Sequence, residues 1–328
     1  MPIRFKVLLL SISAVVLLAA SILLLGGRAA RIRSGPIALF IEPRAGDAPV
    51  LEAIGSARRS IDVEVYLLTD RPVLEALVDA ERRGVHVRAI LEPHPFGGGE
   101  ELARRAYSRL SAGGCEVRWS DPAFTYTHEK AMVIDDREVL IMTCNLSWSA
   151  FHRNREYGMV DRDPADVQAI AKLFAGDWVD RPAPVQDAAL VVSPQDSRPE
   201  LASLIASAHH EIQVQDEEIG DPAIMRELGK EAGSGVDVQI ELPKTRRTAF
   251  EVQRLRAAGL GQVRLLGRPY LHAKLIIVDA RRAYIGSVNL SSTSLDRNRE
   301  VGRILDEPTL VGQLEQVFAT DWTAGQAS

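Results

Sequence analysis

Two stretches of this chain combine residue types that can do chemistry at a spacing that lets them act together. His128 is followed by Lys130 and His272 by Lys274; Thr143 and Asn145 come after the first pair, Ser287 and Asn289 after the second. In an extended strand successive side chains alternate between faces, so a histidine and a lysine two residues apart point the same way. Lysine is rare here, with six residues against 33 arginines, and two of the six stand at these points. That choice favours a compact ammonium charge where a planar guanidinium would not serve the same geometry. One histidine can attack an electrophile while a second donates a proton to the leaving group. Ammoniums, amides and hydroxyls supply donors for an anion whose charge grows in the transition state. A phosphodiester suits this set, because its non-bridging oxygens need donors and its alcohol leaving group needs a proton. The clusters lack converging carboxylates and set a cation beside each histidine, so neither a metal nor another cofactor is expected.

The elements that must position these residues are written twice. THEKAMVID at 127–135 matches LHAKLIIVD at 271–279, RNREYG at 153–158 matches RNREVG at 297–302, and Phe174, Asp177 and Trp178 match Phe318, Asp321 and Trp322, all 144 residues apart (272 − 128). Upstream, Gly84-Val85 matches Gly235-Val236 at a separation of 151 (235 − 84), so the first copy carries seven more residues between about 91 and 128. Such self-similarity denotes a duplicated folding unit. Within each copy, apolar β-branched runs such as IDVEVYLL at 61–68 alternate with segments of helical periodicity such as PVLEALVDAERRG, the pattern of an α/β layered unit. A membrane or signal segment is placed at 1–34, a first unit at 35–184 and a second at 185–328, joined near the proline-containing RPAPVQD at 181–187. Two such units related by an approximate two-fold predict a bilobal molecule with its site in the cleft between the halves.

The chain resembles the phospholipase D superfamily. His128-x-Lys130-x4-Asp135 and His272-x-Lys274-x4-Asp279 match the HxKx4D signature of that family, and Gly286-Ser287-x-Asn289 matches its GSxN element. The resemblance spans about residues 36–325 and implies tandem α/β/α domains sharing one active site at the pseudo-two-fold. It implies a covalent phosphohistidine on one histidine, with the other acting as acid and then as base for water or an acceptor alcohol. His128 is expected as nucleophile and His272 as acid, with Lys130, Lys274, Asn145, Ser287 and Asn289 completing the catalytic set. Glu156 and Glu300 each fall 28 residues after their histidine (156 − 128) and resemble the acidic residue that orients a motif histidine. Asp135, Asp279 and Thr143 are expected to support the motif rather than touch substrate. The first copy departs from the pattern, reading Met142-Thr143-Cys144-Asn145 where the second has Gly286-Ser287-Val288-Asn289. Met142 denies the close approach that glycine allows, so the halves are expected to be unequal, with substrate shape or leaving group read by the first.

Composition bounds the rest. Hydrophobic content of 46% and charged content of 25% fit a folded chain of about two domains. Two cysteines, Cys115 and Cys144, exclude a disulfide scaffold and leave one bridge conceivable. The 19 residues Val7–Leu25 carry no charge, which is about 28 Å of helix, and are expected as an N-terminal membrane anchor, a cleavable export signal being the alternative. An anchor favours a phospholipid substrate by holding the catalytic unit beside it at high local concentration. Hydrolysis is the expected reaction; transfer to an alcohol, of the cardiolipin-synthase kind, shares the same intermediate. A nuclease is the second choice. Arg104, Arg105 and Arg109, with Lys244, Arg246, Arg247, Arg254 and Arg256, could line a phosphate-tracking groove, against a net charge of −5 and an aromatic content of 5%. A catalytically inactive phospholipid- or partner-binding protein is a third reading, opposed by the intact His, Lys and Asn sets. One chain suffices for one such site.

Overall fold

The alternation of apolar runs and helical segments in each copy folds as a mixed sheet, and the two sheets have the same strand order. The computed structural model describes residues 37–328; the apolar stretch 7–25 expected as an anchor lies outside them, and among the described residues no helix is long and apolar enough to cross a membrane. The first half contributes β1 (Ala38–Glu42), β2 (Ser60–Val65), β3 (His86–Leu91), β4 (Glu116–Trp119), β5 (Lys130–Ile134), β6 (Glu138–Met142) and β7 (Asn154–Asp161), arranged β1-β7-β6-β5-β2-β3-β4. The second contributes β8 (Leu190–Ser193), β9 (Glu211–Asp216), β10 (Asp237–Pro243), β11 (Val263–Leu266), β12 (Tyr270–Leu271), β13 (Lys274–Val278), β14 (Arg282–Gly286), β15 (Glu300–Leu305) and β16 (Gln326–Ala327). Its sheet runs β8-β15-β14-β13-β9-β10-β11, with β16 added at the edge. Strands β2, β3 and β4 are parallel to one another, as are β9, β10 and β11, while β5 and β13 join them antiparallel.

Helices start where the sequence supplies caps. Asp70 accepts from the backbone of Val73 at the head of Arg71–Arg82, and Asp221 accepts from Ala223 and Ile224 at the head of Pro222–Gly233, each with proline in the first turn. Strand alternation divides the core. Met132 and Ile134 pack with the helices Ala48–Ser56 and Arg71–Arg82, whereas Ala131 and Val133 face a second cluster that includes Leu275, Ile277 and Ile285 of the other sheet. That shared cluster also receives Leu173 from the helix Pro164–Asp177 and Phe318 from the helix Pro308–Ala324. Each fully buried aliphatic or aromatic side chain there contributes roughly 1.5–3 kcal/mol, so the halves are held together by apolar burial as well as by polar contacts. Cys115 and Cys144 are separate buried thiols, and no bridge joins them.

The segment before each motif leaves its own sheet. Tyr270 and Leu271 run parallel to Asn154 and Arg155 of β7, and the His272 backbone donates to Arg155 O at 3.2 Å. In the same way Arg299 donates to Tyr126 O and His128 to Arg299 O, both at 2.9 Å. The histidines therefore lie just ahead of β5 and β13, which begin at Lys130 and Lys274, and not within those strands as their alternation with lysine predicted. The backbone at that point exchanges its own sheet for the opposite half.

Candidate active site

That exchange decides which glutamate meets which histidine. His128 Nδ1 lies 2.9 Å from Glu300 Oε2, and His272 Nδ1 lies 2.7 Å from Glu156 Oε1. Each glutamate follows the histidine of its own half in sequence and orients the histidine of the other half in space. Both are fully buried, and their remaining oxygens are satisfied. Asn298 Nδ2 donates to Glu300 Oε1 at 2.9 Å and Ser294 Oγ donates to the same oxygen. Thr143 Oγ1 donates to Glu156 Oε2 at 2.6 Å and Asn154 Nδ2 to Oε1 at 3.2 Å. The repeated RNRE segment is thereby explained: its second residue steadies the glutamate, and its arginine crosses to the other half. Arg299 Nη2 reaches Asp177 Oδ1 at 2.7 Å and Arg155 Nη2 reaches Asp321 Oδ1 at 2.9 Å. Asn154, Asn298 and Ser294 escaped the sequence reading, although the two asparagines stood in the repeat.

The lysines are buried beneath the histidines. Lys130 Nζ donates to His128 O, and Lys274 Nζ donates to His272 O at 2.6 Å. Burial, partly offset by the Glu300 charge, pulls the Lys130 ammonium down to about 7. Burial likewise outweighs Glu300 at His128 and brings that imidazole down to about 4, so the ring is neutral at neutral pH. With Nδ1 donating to Glu300, the basic lone pair lies on Nε2, which no protein group among the described residues caps. Tyr66 meets this ring edge-on at 4.6 Å between centroids, and Lys130 Nζ stands 5.2 Å from the Tyr66 ring centre. The other histidine differs. His272 Nε2 is 3.2 Å from Glu217 Oε2, which is also 3.8 Å from Lys274 Nζ, and Tyr270 donates to Glu217 Oε1 at 3.0 Å. An imidazole that faces a carboxylate at each nitrogen donates to both only when both carry hydrogen.

Both histidines line one cleft of about 520 Å³, with Asn145, Asn289, Tyr66, Glu217 and Arg247. The Oδ1 atoms of Asn145 and Asn289 are buried without a hydrogen-bond partner in the described chain. Ser287, expected to face the phosphate, does not line the cleft: its Oγ accepts from Val301 N at 3.1 Å, because the backbone of β15 lies closer than the cavity. Thr143 likewise turns toward Glu156. Asp135 accepts from the backbones of Arg58, Arg59 and Ser60, and Asp279 from those of His209, His210 and Glu211; they tie the starts of β2 and β9. Met142 is fully buried in the outer core, so its exchange for Gly286 alters packing and not the cleft wall. A Cβ at Gly286 would collide with Gly302 and the Tyr284 hydroxyl, whereas the first half has Leu140 at the position of Tyr284. Among the basic residues considered for a groove, Arg104 and Arg105 pair with Glu101 and Arg109 pairs with Glu75; only Arg247 lines the cleft.

Among the described residues one carboxylate trio, Glu64, Glu129 and Asp177, comes within 4.8 Å, the spacing of metal ligands. Glu129 alternates with Lys130 and so points away from the lysine's face. Burial raises Glu129 to about 8 and Glu64 well above the usual carboxylate range, and Arg299 already pairs with Asp177.

Comparison with known proteins agrees with this geometry. The family model described as "Cardiolipin synthase, PLD-like domain" matches residues 50–178 and 201–322. Cardiolipin synthase 2 of Bacillus cereus is 26% identical over 321 residues, covering 83% of this chain and 62% of the relative. Cardiolipin synthase A of Pseudomonas aeruginosa is 23% identical over 341 residues, covering 90% of this chain and 68% of the relative. The chain thus spans somewhat under two thirds of the Bacillus protein. Among solved structures, phosphatidylserine synthase from Haemophilus influenzae superposes with a TM-score of 0.68 at 11% identity, covering 90% of this chain and 88% of that one, a likeness of fold. Twin family-model matches over both halves, each bringing the histidine of its HxKx4D motif to a common cleft, lead to one conclusion: this chain belongs to the phospholipase D superfamily.

Proposed function

We propose that this chain is a phosphatidyltransferase of the phospholipase D type, moving a phosphatidyl group from one alcohol to another through a phosphohistidine. The observation that carries the reading is two histidines lining one cleft with unequal surroundings at Nε2. His128 Nε2, neutral and uncapped, attacks phosphorus, forming a P–N bond as the P–O bond to the departing alcohol breaks. His272 Nε2 gives its proton to that oxygen. The acceptor alcohol then loses its proton to His272 and attacks phosphorus, breaking the P–N bond and restoring His128. Asn145 and Asn289 offer side-chain amides to the non-bridging oxygens while Lys130 and Lys274 place positive charge beneath them as charge builds, and Glu300 and Glu156 fix the two rings in the required tautomer. Hydrolysis uses the same intermediate with water in place of the alcohol. Transfer is preferred because the matched family and relatives bear the name cardiolipin synthase. The apolar segment 7–25 supports a lipid substrate.

The test is the full chain in detergent, with chelator present, given labelled phospholipid vesicles and excess ethanol or glycerol, and single-stranded DNA in parallel. Transfer predicts a phosphatidylalcohol as main product and an acid-labile phosphate label on the protein that His128→Ala removes. Phosphatidic acid alone despite excess alcohol would return the reading to hydrolysis. Cleaved DNA beside untouched lipid would overturn it.

A further inference from the structure

Glu217 has no counterpart in the first half. At the separation of 151 residues its place is taken by Tyr66 (217 − 66), and Tyr66 presents a ring to His128 and Lys130 where Glu217 presents a carboxylate to His272 and Lys274. The carboxylate occupies the reacting nitrogen of His272, the place a substrate oxygen must reach. Burial opposes its charge, yet the nearby His272 and Lys274 charges and the Tyr270 hydroxyl outweigh burial and hold it down to about 2, so it stays ionised. The carboxylate thus already takes the contacts with His272 and Lys274 that a phosphate oxygen would make. A phosphodiester entering beside it brings a second negative charge to a largely buried place, where unpaired charge is costly. With tyrosine in place of Glu217, as at Tyr66, the phosphate would meet no such carboxylate. The wall beyond Glu217 adds Glu218 and Glu251 beside Arg247, and so brings no surplus of positive charge.

We propose that Glu217 is a specificity-determining residue: it fills the second half's anion subsite with the protein's own carboxylate, so the cleft favours a phosphodiester whose head group carries an ammonium and disfavours one whose head group is uncharged or anionic. The inference deepens the transferase reading, and it rests on His272 serving the departing alcohol. When substrate enters, its phosphate displaces the carboxylate from His272 Nε2, and the carboxylate pairs with the ammonium on the alcohol side.

The experiment reads equilibrium binding and needs no turnover. The full chain and its Glu217→Gln and Glu217→Tyr variants are titrated with inorganic phosphate, glycerophosphoethanolamine and glycerophosphoglycerol. The native chain is expected to bind the ethanolamine diester about tenfold more tightly than the glycerol diester, and both variants to erase that difference while binding phosphate about tenfold more tightly. Equal affinities of the native chain for the two diesters, or variants that keep the native preference or the native phosphate affinity, would overturn the proposal. Glu217→Tyr installs the first half's own residue, and thermal unfolding of both variants establishes that each is folded. Absence of phosphatidyl transfer in the vesicle assay would count against the proposed reaction alone, because these affinities are measured without it.

Discussion

The two halves share a strand order and reciprocal polar contacts, yet they surround their histidines differently. His128 rests against the Tyr66 ring with Nε2 uncapped, while His272 is held between Glu156 and Glu217. Duplication accounts for what is common: the same hairpin, the same buried lysine and the same crossed glutamate appear twice because one folding unit was copied. The proposed transfer would use what is different: a nucleophile needs a free lone pair and an acid needs a proton, and unequal surroundings bias the two rings toward those separate roles. The asymmetry is carried by residues outside the signature motifs, chiefly the pair Tyr66 and Glu217.

Removing each histidine in turn separates the two halves most sharply. His128→Ala and His272→Ala should each lower transfer by about 10³-fold or more. A phosphodiester with a p-nitrophenol leaving group, which departs without a proton, should restore a single-turnover burst of nitrophenol in His272→Ala and none in His128→Ala; the reverse pattern of bursts would exchange their roles. A second effect concerns the crossed glutamates. Glu300→Gln and Glu156→Gln should each cost about 10²-fold through misplacement of a ring, and only Glu156→Gln should make the rate more sensitive to leaving-group pKa. Next, Gly286→Ala should destabilise by about 1–3 kcal/mol in chemical denaturation, as overpacking does, and Tyr284→Leu, which supplies the first half's residue, should relieve part of that loss in the double variant. The dependence on pH should be gentler. Below about 4 His128 takes up a proton and loses its lone pair, and above about 7 Lys130 loses its charge. The profile of kcat/KM, which reports the free enzyme, should therefore be bell-shaped between those values; a flat profile from 4 to 9 would contradict both shifts.

Much of the site was legible from residue order. The paired His-x-Lys motifs, the duplication and the strand-helix alternation are local or periodic properties, and they led to a duplicated α/β architecture and to the expectation of a shared cleft. The placement of Ser287 was misjudged because a hydroxyl at a motif position can turn either way, and the proximity of Val301 N decides which. The inequality expected from Met142 does not reach the cleft through its side chain, which is buried in the core with Leu140.

The residues alone determined that two histidines, two lysines and two asparagines would recur at equivalent points of a duplicated unit, since the repeat is a property of residue order. The folded molecule decided which glutamate serves which histidine, across 172 residues between His128 and Glu300, and that Glu217 would reach His272. Those pairings depend on β12 and the segment ahead of β5 each joining the opposite half. Such a choice is made by the packing of two sheets over a common core, and no spacing along one chain records it.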